Sequence, residues 1–378
     1  MRILYFTRAY TVHDARFLRE LAASPHEIWF LPYFQAGGAE WRLPDRVQRA
    51  RWPLPAAPAD GSPDGAVASM AAFEEILSSV RPDVLHAGPI QPCGFMAALS
   101  GFHPLLLMSW GFDVLMEPEA SDQARWIARF ALRNADMLLC DCRAVREKAS
   151  AIHPLDQDRV LELPWGVDLQ AFRPGPPAGE RGTRFGWGEE AFVILSTRAW
   201  EPIYGTETLL RSFRLALESN RRLRIVLVGS GSLSPLVSDF VSDPELRGAV
   251  HLAGAVAHEE LPPYFQQADL YLSCSSVDGT SVSLLEAFAS GLPAVVSDLP
   301  SNREWVLPRE NGWLAPAGQP QDFARAILEA AAQDRGRLDS IGRANRKVAE
   351  ARANWNANFP RILSAYENLA AAARVIRP

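Results

Sequence analysis

The segment SSVDGTSVSLLEAFASGLPAVVSD, residues 275–298, carries the densest set of groups able to do chemistry. A polar loop leaves one apolar run, passes Gly279, enters a helical pattern and reaches a second apolar run. Gly279 lets a ligand approach the backbone closely. Thr280, Ser281 and Ser283 can cap the helix and offer hydroxyls. Free amides at such a helix start favour an anion, for example a diphosphate. Asp278 lies in the loop and Glu286 inside the helix. At about 1.5 Å rise per residue, their carboxylates stand about 10 Å apart. A retaining glycosidase needs its two carboxylates about 5–5.5 Å apart. The spacing therefore suits two separate tasks, with Glu286 accepting two ribose hydroxyls and Asp278 meeting a sugar. The same pattern also suits a capped amphipathic helix whose Glu286 faces solvent.

A second segment, ILSTRAWEPIYGTETLL (194–210), ends an apolar run on Arg198, and Gly205 opens the next helix. A guanidinium there can grip a phosphate with two hydrogen bonds. A lone arginine at a strand end also suits an ordinary surface charge. A third segment, VLVGSGSL (226–233), offers Gly229, Ser230 and Gly231 for close backbone approach. It is not the dinucleotide fingerprint, because position 234 is Ser and no acidic residue clearly ends the following strand.

These groups need elements to hold them. Apolar runs at 2–7, 26–33, 82–87, 104–110, 135–141 and 158–164 read as buried strands, with helical patterns between several of them. The segment 52–65 reads as a loop with no element of its own, and 168–191, with three Pro and five Gly, as an interdomain linker. Alternation then restarts with AFVILSTR, RLRIVLVGSG, AVHLAG, ADLYLSCSS, LPAVVSD and GWLAP as strands. Helical patterns fall at 205–218, 258–268, 281–291 and 319–332, and the last 40 residues look wholly helical. This order predicts an α/β chain with two Rossmann-like, doubly wound domains facing across a ligand cleft.

The 378 residues suit two domains, and 48% hydrophobic with 22% charged residues suits globular cores. A net charge of -6 gives no basic face for nucleic acid. Cys93, Cys140, Cys142 and Cys274 lack metal-ligand spacing, and Cys140 and Cys142, in MLLCDC at a strand end, read as reduced core residues. No 18-residue apolar run exists, and the N-terminus does not read as a signal peptide, so a cytoplasmic protein is expected. Only Lys148 and Lys347 are lysines among 38 basic residues, whereas tryptophans number 11.

Together the segments resemble the retaining nucleotide-sugar glycosyltransferases of the GT-B fold, the large family that includes sucrose synthase. PDVLHA, DCRAVREK, PWGVDLQAFRP, the VGSG turn, HLAGAVAHEELPPYFQQADLYLSCS, the DGTSVSLLEAFASGLP block, NREWVLPRENGWLAP and the tail SAYENLA carry the likeness in order. The resemblance implies an N-terminal acceptor domain over 1–170, completed by a helix at about 356–378, and a donor domain over 171–355. It implies that Arg198, Asp278 and Glu286 do the catalytic work. The donor would lie against Tyr204, Gly205, Gly229, Ser230 and the amides of Gly279, Thr280, Ser281 and Val282. It implies transfer with retention and no cofactor or metal. The family pairs its arginine with a lysine six residues on; here that position is Tyr204, which brings no charge. Asp278 stands where the family usually has a glutamate.

In the N-terminal half, TVHDARFLREL puts His13 and Arg16 at a helix start, facing either an acceptor or solvent. In SWGFD (109–113), Trp110 stands where many relatives have a histidine, followed by Gly111 and Asp113. Trp110 would form an apolar wall or pack in the core, and Asp113 would orient an acceptor hydroxyl. His86, Gln91 and His103 have weaker claims. Trp110, Trp165, Trp200, Trp305 and Trp313 fall inside the motif segments, which suits either an aromatic-lined cleft or buried packing at the domain edges. The expected partners are a nucleotide-sugar donor, with UDP favoured by its frequency among such enzymes, and a hydroxyl acceptor. A lipid-linked acceptor would bring peripheral contact with the inner membrane face. The alternatives are a nucleotide-sugar or glycan binder without catalysis and, more weakly, a dehydrogenase.

Overall fold

The computed structural model describes residues 1–34, 42–53, 60–176 and 181–376. The chain divides into two compact units, Met1–Leu163 with Ala357–Pro378, and Pro164–Asn356.

In the N-terminal unit the strands are β1 (Arg2–Thr7), β2 (Glu27–Pro32), β3 (Val47–Arg49), β4 (Val84–Gly88), β5 (Leu105–Met108), β6 (Met137–Cys140) and β7 (Val160–Glu162). They form one sheet in the order β3-β2-β1-β4-β5-β6-β7, and every pairing is parallel. Strands such as LLLM and VLHAG are apolar on both faces because helices cover both sides. The helix Trp355–Ile376 returns to this unit. Its Tyr366 is buried and its hydroxyl meets Nδ1 of His86. Burial pushes the His86 imidazole down to about 3, so it is a neutral core group.

In the second unit the strands are β8 (Phe192–Ser196), β9 (Leu223–Val228), β10 (Val250–Gly254), β11 (Leu270–Ser273), β12 (Ala294–Ser297) and β13 (Gly312–Ala315). Their order is β10-β9-β8-β11-β12-β13, again all parallel. Alternate residues of β8 feed the two faces: Phe192 and Ile194 enter one core, Val193 and Leu195 the other. Each sheet is therefore a doubly wound Rossmann-like layer, whose ligands lie where the strand order reverses. Those places are β1/β4 and β8/β11.

Some boundaries differ from the sequence expectations. The short edge strand β3 and the helix Ser234–Val241 carry weak patterns and were not foreseen. The supposed loop 52–65 has a buried Trp52 and leads into a helix that starts at Pro63, capped by Ser62; positions 54–59 lie outside the described residues. The supposed linker 168–191 begins inside the second unit. Arg346 donates to the carbonyls of Phe172 (2.7 Å) and Leu169 (3.0 Å), and Phe172 is buried in that unit's core. Proline and glycine content signalled irregular backbone there, not a hinge; positions 177–180 lie outside the described residues. The pattern at 258–268 forms only the short turns His258–Glu260 and Pro262–Gln266. The helical tail breaks at Ala353, beside the bridge between Val167 and Asn354.

Gly205 shows how tightly the second unit is closed around β8 and β11. It sits at φ 65°, and a Cβ there would lie 2.0 Å from the carbonyl oxygen of Cys274. Gly205→Ala is expected to cost about 2–5 kcal/mol, the sum of a left-handed backbone and an overpacked contact. Denaturant unfolding checks this, and an unchanged midpoint would contradict it.

Candidate functional site

The loops after β8 and β11 meet at the reversal point of the second sheet, and Arg198 joins them. Its Nη2 pairs with Oδ2 of Asp278 at 2.9 Å. Its Nη1 donates to the hydroxyls of Ser281 (3.0 Å) and Ser283 (3.3 Å). Tyr271, on β11, donates to Ser283 at 2.7 Å. The Arg198 and Asp278 side chains are only 14% and 16% exposed, which rules out an ordinary surface charge for Arg198. Burial pushes the Asp278 carboxyl up and Arg198 pulls it part of the way back. Burial opposes the Arg198 charge, but Asp278, Tyr271 and Tyr204 outweigh it and hold the guanidinium above its usual range. The Nε of Arg198 is buried and has no hydrogen-bond partner.

Tyr204 lies with its ring 4.1 Å from the guanidinium carbon of Arg198. At the position of the family's lysine, this chain therefore stacks an aromatic face on its arginine. Of the two lysines, Lys148 pairs with Glu119 in the N-terminal unit.

Helix Val282–Ala289 starts at this point, with Ser281 as N-cap accepting from the amide of Leu284 (3.4 Å). Gly279, Thr280, Ser281 and Val282 thus stand at its positive end, beside Arg198. The loop is braced: Ser301 donates to the carbonyl of Asp278 (2.8 Å), and Ser276 N to that of Ile203 (2.9 Å). Trp305 reaches the Thr280 hydroxyl at 3.4 Å.

Glu286 does not face solvent. It is 3% exposed, and its Oε1 meets Nε2 of His258 at 2.8 Å. The His258 ring packs 5.5 Å from that of Phe172. His258 was not singled out by the sequence reading, although it falls inside the AVAHEELPPY stretch. Its partner is 28 residues away, so spacing alone gave no signal.

The glycines of the VGSG turn answer to the chain itself. A Cβ on Gly229 would lie 2.6 Å from the Arg198 carbonyl, and one on Gly231 2.4 Å from that of Trp200. Trp200 N donates to the Ser230 carbonyl at 3.0 Å. Gly229, Ser230 and Gly231 therefore support the loop that carries Arg198.

Of the two tryptophan readings, buried packing holds for four of the five residues. Trp165, Trp200, Trp305 and Trp313 are 3–8% exposed and pack beneath the motifs instead of lining a cleft. Trp110 is half-buried, its ring 5.4 Å from that of His13. Arg16 lies on the same helix as His13, Val12–Ala23. The reading of Asp113 also fails. It is fully buried, and its carboxylate accepts from Ile90 N (2.7 Å), Ser109 Oγ (2.8 Å) and Trp110 N (2.9 Å). It ties two loops together, with Gly111 at φ 91° between, and does not present itself to a ligand hydroxyl. All four cysteines are buried. Among the described residues no cluster of His, Cys, Asp and Glu could hold a metal, and no helix is long and apolar enough to cross a membrane.

Two family models match the two halves: glycosyl transferase 4-like over residues 2–142, and glycosyl transferases group 1 over residues 190–333. The chain belongs to the GT-B glycosyltransferases. Among solved structures, sucrose-phosphate synthase from Thermosynechococcus elongatus aligns over 98% of this chain and 100% of its own, with TM-score 0.80 and 17% identity. HepE of Anabaena in complex with UDP-glucose aligns with TM-score 0.78 and 17% identity, over 98% of this chain and 100% of its own. Among curated relatives, D-inositol 3-phosphate glycosyltransferase of Kineococcus radiotolerans is 27% identical, over 61% of this chain and 57% of its own length. A GDP-mannose-dependent phosphatidylinositol monomannoside mannosyltransferase of Mycobacterium tuberculosis is 30% identical, over 51% and 52%. The chain thus spans little more than half the length of these relatives.

The Arg198–Asp278 pair makes a pH-dependent prediction. Arg198→Ala leaves a buried carboxylate without its partner and is expected to cost about 3–5 kcal/mol at pH 8. The Asp278 carboxyl would then rise further above its unfolded value. The folded state binds the proton more tightly, so the deficit grows as pH rises and shrinks as pH falls towards 4. Adding Asp278→Asn should recover part of it. A deficit independent of pH in urea titrations would contradict the pairing.

Proposed function

We propose that the protein transfers a sugar from a nucleoside diphosphate sugar to a hydroxyl acceptor, with retention at the anomeric carbon. The observation that carries this reading is Arg198, buried at the reversal point of the sheet and held against the start of the Val282–Ala289 helix. A cation and a helix start converging on one point suit a diphosphate leaving group. In the proposed reaction the bond from the anomeric carbon to the phosphate oxygen breaks. The acceptor oxygen bonds to that carbon on the same face, and its proton passes to the departing phosphate oxygen. Arg198 and the amides of Gly279–Val282 stabilise the charge that develops. Glu286 holds the ribose hydroxyls, and Asp278, while anchoring Arg198, contacts the donor sugar. No metal is required in this scheme.

UDP is the first donor to test, because the HepE structures hold UDP and UDP-glucose. GDP is the second, because GDP-mannose-dependent enzymes are among the relatives. One observation favours a binder without catalysis: Tyr204 stacks on Arg198 where the family places a second cation. Nucleotide release from UDP-, GDP- and ADP-sugars separates the two readings. Tight binding without release in the presence of any acceptor would favour the binder. Transfer is expected to survive a chelator.

Arg198→Ala and Glu286→Ala should each lower transfer by about 10–150-fold, the worth of a charge-assisted hydrogen bond. Near-normal turnover in both would sink these roles. His258 acts as a positioning residue by orienting Glu286. His258→Ala is expected to raise the donor KM by roughly tenfold, with a smaller effect on kcat. His258→Asn should recover part of this. With a 2′,3′-dideoxy nucleotide donor the effect should vanish; an equal loss there would mean that His258 is merely structural.

A further inference from the structure

Three hydroxyls form a chain against Arg198. Tyr271 Oη donates to Ser283 Oγ at 2.7 Å, and Ser283 Oγ lies 3.1 Å from Ser281 Oγ. Arg198 Nη1 donates to both serines, at 3.0 Å for Ser281 and 3.3 Å for Ser283. Tyr271 is wholly buried, and Ser281 and Ser283 are 4% and 9% exposed. The directions of these bonds are therefore set by the chain and not by bulk water. Nothing in the roles given so far to Arg198, Asp278 and Glu286 uses Tyr271 or Ser283.

Counting protons fixes each direction. A guanidinium only donates, and a hydroxyl has two lone pairs and one proton. Ser283 takes one hydrogen from Arg198 and one from Tyr271, which fills its lone pairs. Its own proton must go outward, and Ser281 Oγ is the acceptor within reach among the described residues. Ser281 in turn takes hydrogens from Arg198 and Ser283, with Leu284 N a long third donor at 3.4 Å. The Ser281 proton is then left with no acceptor among the described residues. The opposite order fails. If Ser281 donated to Ser283, three hydrogens would crowd two lone pairs, and the Ser283 proton would be stranded in the interior. Tyr271 is what closes that order off. Burial pushes its phenol up, so it keeps its proton and goes on donating.

The remaining O–H belongs to the N-cap of helix Val282–Ala289, beside the first amides of that helix. Its oxygen accepts from a cation and from a second hydroxyl, and each such bond polarises the next and strengthens the last donor. A strong, neutral donor suits a phosphate oxygen. It also sets no second cation against Arg198, whose other face is covered by the ring of Tyr204. We infer that Ser281 donates its hydroxyl proton to the leaving diphosphate, and that Ser283 and Tyr271 are positioning residues that aim it. This assignment rests on the donor reading and deepens it: the charge that Tyr204 does not bring is replaced by a directed hydroxyl.

Titration calorimetry on the full chain tests this with UDP, GDP and ADP, each set against its nucleoside, and with inorganic pyrophosphate as the bare anion. The diphosphate that wild type binds most tightly is carried through the variants. Ser281→Ala should weaken it about tenfold and leave the nucleoside unchanged. Ser281→Thr, which keeps the hydroxyl, should recover most of that loss. Should Ser281→Ala fail to fold, Ser281→Thr and Ser281→Val, equal in shape and differing in the hydroxyl, give the same comparison. Tyr271→Phe empties a lone pair on Ser283 and lets the Ser281 proton turn inward, so it should weaken the diphosphate roughly fivefold. In the Ser281→Ala background Tyr271→Phe should cost nothing more, because no proton remains to aim. A tyrosine that is merely structural would cost the same in both backgrounds, and that result overturns the relay. Melting temperatures of the variants separate lost folding from lost binding. Unchanged diphosphate affinity in Ser281→Ala, or an equal loss for the nucleoside, overturns the inference and leaves the donor reading standing. Wild type that binds no nucleoside diphosphate and no pyrophosphate overturns both.

Discussion

The second unit is organised around one buried ion pair. Arg198 and Asp278 come from the loops of two adjacent parallel strands, β8 and β11, where the strand order turns back on itself. Removing either partner would strand a charge in a poorly solvated place, so both loops are committed to one geometry. Ser281, Ser283 and Tyr271 extend the pair into a hydrogen-bonded network that reaches the start of the Val282–Ala289 helix. The anion-favouring features of that helix start and of the guanidinium are thereby locked together before any ligand arrives. Such preorganisation is what stabilises developing charge at low cost.

The surrounding packing serves that pair. Gly205, Gly229 and Gly231 are glycines because carbonyls of Cys274, Arg198 and Trp200 occupy the space of a side chain. Trp200 and Trp305 fill volume under the loops, and Tyr204 covers Arg198 with its ring. An aromatic face steadies a guanidinium without adding a competing charge. A lysine at 204 would instead have placed a second cation beside Arg198. The chain's scarcity of lysine and its surplus of tryptophan therefore have structural counterparts at the same site.

The same topology is used twice with different chemistry. In the second unit the reversal point holds a buried ion pair, with only the Nε of its arginine left unpartnered on that side chain. In the N-terminal unit it holds buried polar atoms that find no partner in the chain. Asp113 and Glu117 make the contrast at close range. One carboxylate takes three hydrogen bonds from its own backbone and a serine, and the other keeps an oxygen unpaired one turn later.

Much of this was legible in the sequence. Apolar runs of four to six residues, separated by helical periods, determine a parallel, doubly wound sheet, because only that layering buries both faces of such strands. Among the described residues, twelve of the thirteen strands follow from local pattern. Partnerships did not. The bond of His258 to Glu286, the stack of Tyr204 on Arg198, the burial of four motif tryptophans and the saturation of Asp113 all join residues by fold geometry that no residue spacing encodes. Sequence periodicity records which side of an element faces the core, since that is a one-dimensional property. Whether a carboxylate is spent on the protein or left for a ligand depends on what the tertiary structure brings within 3 Å of it.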